Sequence, residues 1–344
     1  MICLKEGKPF LLVLIMVIFG CNNKHLPKIE PVLITEKTPH DTDDPAIWIN
    51  RENPLESIVF GTDKDEVNGG IYAFDLEGKI IMDKTITGLS YPNNVDISNG
   101  FFINDTTTID IIGFTEREKN QIRLFSVPEM KMLDSGGLKV FEDESNVSYR
   151  RPMGIAFYKE QRTKKTYLIV SRKEGPIKNY LYQYEVIVDT QGLKLQFARK
   201  FGNFSGNKEI EAIAVDEELG YIYYSDEDHC IRKYYASPDK GDEEISCFGG
   251  EYFSRDIEGI AIAKYNGNSG FLIVSNQQEN SFNVFDRISN DFVMELDLGT
   301  IETDGCDVVT FSLGSKFSRG LFVSMSDSKT FYFHDLGSLN LNKD

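Results

Sequence analysis

The chain has 344 residues, of which 41% are hydrophobic and 26% are charged, and its formal net charge is −17. That share of apolar side chains is enough for a large core and argues against a mainly disordered chain. A surface this acidic repels nucleic acid and anionic membranes, and the sequence contains no concentrated basic run that would reverse the local electrostatic field. We therefore expect no nucleic-acid partner.

The first twenty residues predict an export signal. Lys5 and Lys8 precede an apolar run that ends at Gly20-Cys21 and is shorter than the roughly 20 residues of a membrane span. The end of this run resembles the lipobox of bacterial lipoproteins, in which the Cys becomes the acylated first residue. We therefore predict a signal peptide over residues 1–20, a lipidated Cys21, a linker over residues 21–30 and one domain over residues 31–344. An uncleaved anchor is the alternative, and both place the domain outside the cytoplasm, on the periplasmic or cell-surface side of a bacterial membrane.

The rest of the chain consists of short β-branched and aromatic runs separated by Gly, Asn and Asp, without a sustained helical period. A unit of three strands recurs six times, with starts about 50 residues apart. The first strands begin near Asp43, Asn93, Pro152, Glu211, Asp256 and Asp304. The second strands begin near Ile58, Ile111, Tyr167, Tyr221, Phe271 and Leu321, and the third near Gly70, Gln121, Tyr180, Cys230, Ser281 and Thr330.

A fourth, weaker strand follows in five of the units, near Ile80, Met132, Leu193, Glu243 and Asp291. The sixth unit has none, and the strand-like segment from Val32 to Lys37 precedes the first unit. The pattern predicts an all-β, six-bladed β-propeller with four-stranded antiparallel blades, closed by an N-terminal strand that completes the last blade. A sandwich or a solenoid is the alternative.

The cysteines show no CxxC pair and no metal-ligand spacing. Beyond Cys3 and Cys21 the chain has only Cys230, Cys247 and Cys306, so at most one disulfide can form among these three. We expect thiols in the core or in strands, with a Cys230–Cys247 bridge as the alternative.

Acidic and amide residues cluster at two places in the unit, the start of the first strand and the end of the second. In a propeller both places lie at one end of the central channel, so these residues should meet there. They are Asp43, Asp44, Asn94, Asp96, Glu211, Asp256, Glu258, Asp304 and Asp307 from the first strands, and Glu174, Asp226, Glu227, Asp228 and Gln277 from the second. Cations would relieve their repulsion, and calcium, which takes about six to eight oxygen ligands, is the natural candidate. The alternative is a set of solvated loop acids.

Three basic residues stand among these acids. Lys64, Arg117 and Lys173 follow the second strands of three consecutive units. Fixed cations beside metal ions form a site for a highly charged anion, since Arg binds phosphate bidentately and Lys acts as a point charge.

The signatures of the units resemble, in order and spacing, those of the β-propeller phytases. They are DDPAIW from Asp43, NNVDI from Asn93, KEG from Lys173, EAIA from Glu211, DIEG from Asp256 and TDGCDV from Thr303. The resemblance covers nearly all of the chain after the export signal. It implies a monomeric, calcium-dependent phosphate monoester hydrolase of the 3-phytase type, which releases inorganic phosphate from phytate (myo-inositol hexakisphosphate) or another inositol phosphate bound as its calcium complex. It also implies that a calcium-bound water attacks the phosphorus in line.

The resemblance also implies a role for each matching residue. Several calcium ions would be bound by Asp43, Asp44, Asn94, Asp96, Glu211, Glu227, Asp256, Glu258, Gln277 and Asp304. Substrate would be bound by Lys64, Arg117, Lys173 and Glu174, and the catalytic set would be Lys64, Arg117, Lys173, Glu211 and Asp304. The chain departs from the family in two places: Met153 stands where a Tyr is usual, and the loop before Thr303 is shorter and lacks one carboxylate.

Two other functions compete with this interpretation. A calcium-dependent lactonase or arylesterase of six blades needs one deeply held calcium and an apolar pocket, and the three basic residues argue against it. A catalytically silent propeller lipoprotein would bind a partner on its acidic face, and an incomplete calcium cluster would favour it.

Overall fold

A computed structural model describes residues 26–341 of the chain. Its strands, numbered β1–β24 in chain order, form six separate four-stranded antiparallel sheets, which confirms the predicted propeller. The strand β1 (Leu33–Ile34) precedes the first blade. Blade 1 contains β2 (Thr42–Trp48), β3 (Ile58–Asp63), β4 (Gly69–Phe74) and β5 (Ile86–Leu89). Blade 2 contains β6 (Pro92–Phe102), β7 (Thr108–Glu116), β8 (Gln121–Val127) and β9 (Leu138–Lys139).

The remaining blades repeat this order. Blade 3 contains β10 (Pro152–Lys159), β11 (Thr166–Arg172), β12 (Lys178–Asp189) and β13 (Gly192–Asn203). Blade 4 contains β14 (Ile213–Asp216), β15 (Tyr221–Asp226), β16 (Cys230–Tyr235) and β17 (Ser246–Phe248). Blade 5 contains β18 (Ile260–Lys264), β19 (Gly270–Asn276), β20 (Ser281–Asp286) and β21 (Phe292–Leu296). Blade 6 contains β22 (Cys306–Val309), β23 (Leu321–Ser326) and β24 (Thr330–Asp335), and β1 is its fourth strand.

The ring closes by strand exchange between the two ends of the chain, as predicted. The pairing joins Leu33 to Phe333 and Ile34 to Tyr332. Further upstream, Lys28 forms a parallel β-bridge with Asp297, just beyond the end of β21. Non-covalent closure therefore ties the start of the described chain to both of the last two blades.

Helical structure among residues 26–341 is limited to short 3-10 turns, at Pro54–Glu56, Met82–Lys84, Arg117–Lys119, Val147–Arg150, Pro238–Lys240, Gly250–Tyr252, Asn266–Asn268, Gln277–Glu279 and Leu336–Leu339. None of them has the length and apolar character that would let it cross a membrane.

The core is divided among the six blade interfaces. Each of the six buried apolar clusters contains residues of two neighbouring blades. At the closure, Val59 of blade 1 packs in one cluster with Phe331 of blade 6. Burial of apolar surface contributes about 25 cal/mol per Å², so every blade interface stabilises the ring. The packing at each interface also fixes the angle between adjacent inner strands.

The expectation that all three cysteines are thiols is wrong. A disulfide joins Cys230 of β16 to Cys247 of β17, and Cys306 is the one free thiol among residues 26–341, where it is buried. The two strands are antiparallel neighbours, which brings the Cα atoms within 5.7 Å, inside the range that a disulfide spans. This proximity depends on the strand register, which a count of cysteines does not reveal.

Candidate metal and phosphate site

One backbone contact recurs where the first and second strands of a blade meet. The amide of the residue that follows the second strand donates a hydrogen bond to a carbonyl in the segment that leads into the first strand. The pairs are Lys64 with Asp41 (2.7 Å), Arg117 with Tyr91 (3.0 Å), Lys173 with Arg151 (2.8 Å), Glu227 with Glu209 (3.2 Å) and Gln277 with Asp256 (3.4 Å). These residues surround one end of the central channel, here called the upper mouth. The predicted meeting of strand-one starts and strand-two ends is therefore confirmed.

Blades 4 and 5 form the acidic half of the upper mouth. Two overlapping groups each hold their ligand oxygens within 4.8 Å of one another: Glu209, Glu211 and Glu227 in one, and Glu227, Asp256 and Glu258 in the other. The Oε1 atom of Glu227 and the Oε2 atom of Glu258 are buried without a hydrogen-bond partner. Burial, reinforced by the charge of Glu211, raises the pKa of Glu227 to about 10.

These observations fit a hard cation. Buried carboxylate oxygens without donors are costly as anions, and they have the chemistry that calcium prefers in its ligands. The same burial raises the pKa values of Glu211 and Glu258, whose neighbouring carboxylates add to the effect. The acidic half therefore has the donor set for at least one calcium ion, with Glu227 shared between the two groups.

Blades 6 and 1 meet at Lys64. Its Nζ atom lies 2.8 Å from Oδ2 of Asp304 and 3.3 Å from Oδ2 of Asp43. Burial disfavours the ammonium group, but the negative charges of Asp43 and Asp304 outweigh it and raise the pKa of Lys64. Asp304 also accepts a hydrogen bond of 2.5 Å from Nε2 of Gln277. The structure thus joins these predicted site residues into one network.

Asn93 connects the acidic residues to the basic ones. Its Nδ2 atom donates to Oδ2 of Asp43 (3.1 Å) and to Oε1 of Glu211 (2.5 Å). Its Oδ1 atom accepts a hydrogen bond of 3.0 Å from Nη1 of Arg117. The sequence interpretation selected the next residue, Asn94, and missed Asn93. Asn93 could have been recognised in the sequence because it occupies the same position in the repeat as Asp43.

Four of the acidic and amide residues lie along the channel wall. Asp44, Asn94, Asp96 and Asp307 line a cavity of about 650 Å³ in the channel. Each of the three aspartates accepts a hydrogen bond from a backbone amide of the next blade: Asp44 from Val95 (3.0 Å), Asp96 from Phe157 (2.6 Å) and Asp307 from Ile47 (2.8 Å). Burial raises the pKa of Asp96 to about 7. The predicted calcium positions therefore divide between the upper mouth and this channel wall.

Two glycines allow the inner strands to approach closely beside the site. A Cβ atom on Gly154 would lie 1.9 Å from the carbonyl oxygen of Glu211, and one on Gly259 would lie 2.6 Å from that of Asp304. No side chain fits at such distances, so only glycine permits this spacing of adjacent blades. The glycines of the MGI and DIEG segments thus position Glu211 and Asp304.

Blades 2 and 3 form the basic half of the upper mouth, with Tyr91, Arg117, Arg151 and Lys173. The guanidinium of Arg117 lies over the ring of Tyr91, 3.3 Å from its centroid, and its Nη1 atom is 3.3 Å from Sδ of Met153. Lys173 reaches across to the acidic half, where its Nζ atom lies 2.6 Å from Oε1 of Glu209. Lys173 therefore lies at the boundary with the acidic half, and Arg117 is linked to that half through Asn93.

Three of the predicted residues lie outside these networks. Glu174 and Asp228 are exposed. Asp226 is buried, but its carboxylate binds Arg232 and Ser205 and so serves the structure of blade 4. Conversely, the sequence interpretation missed Glu209, Arg151 and Tyr91. These three residues could have been recognised because they share one position in the repeat, which lies two residues before Glu211, Met153 and Asn93, respectively.

Comparison with known proteins agrees with this geometry. A sequence model of the phytase family matches residues 24–333. The chain belongs to the phytase family. It is 30% identical over 297 residues to the 3-phytase of Bacillus subtilis (strain 168), and the match covers 82% of this chain and 73% of that relative. Family membership identifies the chain as a phosphoric monoester hydrolase. The crystal structure of the computationally designed Ika8 protein matches 88% of this chain and 70% of its own, with a TM-score of 0.45 and 13% identity, a likeness that bears on neither site nor function.

Proposed function

We propose that this protein is a calcium-dependent phosphatase of the 3-phytase type, which releases inorganic phosphate from phytate. One observation carries the proposal: buried carboxylate oxygens without partners lie beside Lys64, Arg117 and Lys173 in a single network. The expected substrate bears many phosphate groups and binds calcium. Such a substrate suits both halves of the upper mouth, because the carboxylates would hold the metal and the basic side chains would hold phosphate oxygens. The family match and the 3-phytase relative support the same substrate class.

The acidic and the basic side chains would have different roles. Glu211, Glu227, Asp256 and Glu258 would hold calcium, with Asp43, Gln277 and Asp304 beside them and Asp44, Asn94 and Asp96 along the channel wall. Calcium, when bound, supplies a Lewis acid for phosphate oxygens and lowers the pKa of water in its coordination shell. Lys64, Arg117 and Lys173 bind phosphate oxygens and stabilise charge that develops during hydrolysis.

Asn93 has a positioning role. It holds Glu211 and Arg117 at the same time, so a metal ligand and a phosphate-binding group keep a set separation. Such fixed geometry lowers the cost of bringing phosphorus and attacking water together.

We also propose that the protein is exported and lipid-anchored, and that it acts as a monomer. The signal peptide and Cys21 lie outside the described residues. The Cys230–Cys247 disulfide supports an oxidising compartment, as do the export features of the sequence. Cys21→Ser should release the protein from membranes or leave an uncleaved precursor, as fractionation and mass measurement would show. Unchanged membrane association with unchanged mature mass would contradict the anchor.

The decisive experiment measures phosphate release from calcium phytate by the fragment that begins after Cys21. We expect release with calcium, loss of release with a chelator, and recovery when calcium is restored. No release from phytate at any calcium concentration would refute the proposed function. Release that is insensitive to the chelator would refute the calcium-dependent mechanism.

A further inference from the structure

Two arginines of the upper mouth share one carboxylate. The Nε atom of Arg117 lies 3.4 Å from Oε1 of Glu118, and Nη2 of Arg151 makes a close contact with the same oxygen. The side chains of Arg151 and Glu118 are 35% and 34% exposed, so solvent and solutes reach them. The Nε atom of Arg151, by contrast, is buried and has no hydrogen-bond partner.

The place of Arg151 in the fold puts it within the site. Arg151 occupies the position in blade 3 that Glu209 holds in blade 4 and Asp256 holds in blade 5, where both contribute to the carboxylate groups. Its carbonyl accepts a hydrogen bond of 2.8 Å from the amide of Lys173. Arg151 therefore stands between Arg117 and Lys173, and neither it nor Glu118 is among the residues that the family resemblance assigns.

The chemistry of this contact suits a larger anion than a carboxylate. Glu118 carries one negative charge against two guanidinium groups and leaves a donor of Arg151 unused. A phosphate ester carries a charge of about −1.5 to −2 at neutral pH and has three acceptor oxygens. Two guanidinium groups can bind those oxygens through several charge-assisted hydrogen bonds.

We propose that Arg117 and Arg151 together form a binding site for one phosphate ester group, and that Glu118 occupies this site as an internal competitor which the substrate displaces. The inference rests on the proposed function, since the ester is a group of the substrate bound at the upper mouth. It makes Arg151 a substrate-binding residue and makes Glu118 a residue that lowers substrate affinity.

The two residues should respond to substitution in opposite directions. In Arg151→Gln we expect KM for calcium phytate to rise about tenfold with kcat changed less than about twofold, since a charge-assisted contact with the substrate is lost. In Glu118→Gln we expect KM to fall about threefold, because the competing charge is gone. In the double variant the gain from Glu118→Gln should disappear, since it depends on Arg151.

The matched control is Arg150→Gln. The guanidinium of Arg150, the neighbour in sequence, donates to the backbone carbonyl of Glu144, so this change should leave KM within about twofold. Calorimetric titration with myo-inositol hexakissulfate, whose sulfate esters stand in for phosphate esters and are not turned over by a phosphatase, gives a second readout in the presence of calcium. Thermal unfolding of each variant shows that it is folded.

The outcomes separate this inference from the proposed function. If wild type releases no phosphate from phytate, the function fails, and the titrations alone decide the arginine site. If wild type is active but Arg151→Gln behaves like Arg150→Gln, the arginine site is refuted. Equal or weaker hexakissulfate binding by Glu118→Gln refutes the internal competitor.

Discussion

The two halves of the upper mouth share a backbone plan and differ in charge. In blade 4 the three repeat positions hold Glu209, Glu211 and Glu227, whereas in blade 3 the same positions hold Arg151, Met153 and Lys173. The acidic half contains buried oxygens without donors, and burial raises the pKa values of Glu211, Glu227 and Glu258. The cations of the basic half already contact carboxylates. One half therefore has the chemistry to take up an external cation, whereas an anion that binds the other half would have to displace internal carboxylates.

The largest expected effect is that of calcium removal. A chelator should abolish phosphate release and lower the midpoint of thermal unfolding by about 5 degrees or more, because calcium held only by the folded state would stabilise it and relieve carboxylate repulsion. Melting curves and phosphate assays with calcium and with chelator test this. Coincident curves would show that the acidic half holds no stabilising metal, and the comparison between the halves would fail.

The next largest effect belongs to the carboxylate that both acidic groups share. Glu227→Gln should weaken calcium binding and lower turnover by more than about tenfold, and Glu211→Gln should act in the same direction. In chelator the effect on stability should have the opposite sign: Glu227→Gln should melt higher than wild type, because a buried carboxylate with one unpartnered oxygen has been removed.

The matched control for this prediction is Asp228→Asn, in the next residue of the chain. Asp228 is exposed, so its loss should change neither calcium affinity nor the melting midpoint in chelator. A Glu227→Gln variant that binds calcium like wild type would remove Glu227 from the proposed metal site.

A smaller effect is expected on the basic side. Lys173→Ala should raise KM or lower kcat for phytate by roughly tenfold while the calcium-dependent shift in melting stays as in wild type, because in the proposed function Lys173 binds substrate and no metal. Lys165→Ala is the matched control, since Lys165 precedes β11 and Lys173 follows it, so the two lysines flank opposite ends of one strand. Loss of the calcium shift in Lys173→Ala would mean that the halves are not separate in function.

The smallest effect concerns the support of Arg117. Met153→Leu keeps the buried volume but removes the sulfur that lies 3.3 Å from Nη1 of Arg117, so KM should rise only about twofold and stability should change by less than about 1.5 kcal/mol. Steady-state kinetics and chemical unfolding measure the two effects. A tenfold rise in KM would show that Met153, and not Tyr91 or Asn93, sets the position of Arg117.

Much of the site could be predicted because it follows the repeat. Lys64, Arg117, Lys173, Glu227 and Gln277 all come directly after a second strand, and the structure places them around one mouth. The boundary between mouth and channel wall could not be predicted in this way. The inner strands β2, β6 and β10 each have an irregular register at their start, which alters which side chain faces the mouth.

The period, the number of blades and the closing strand follow from the amino-acid sequence alone, because strand patterns and turn residues are local signals that repeat along the chain. The supply of carboxylates and cations is likewise a property of the sequence. Other contacts could be seen only in the folded chain: Asn93 joins Asp43 to Arg117, Cys230 is bonded to Cys247, and Arg151 shares Glu118 with Arg117. Those contacts depend on strand register, on the irregular register at the start of β2, β6 and β10, and on the packing of neighbouring blades. A displacement of one residue would turn the side chains to another face.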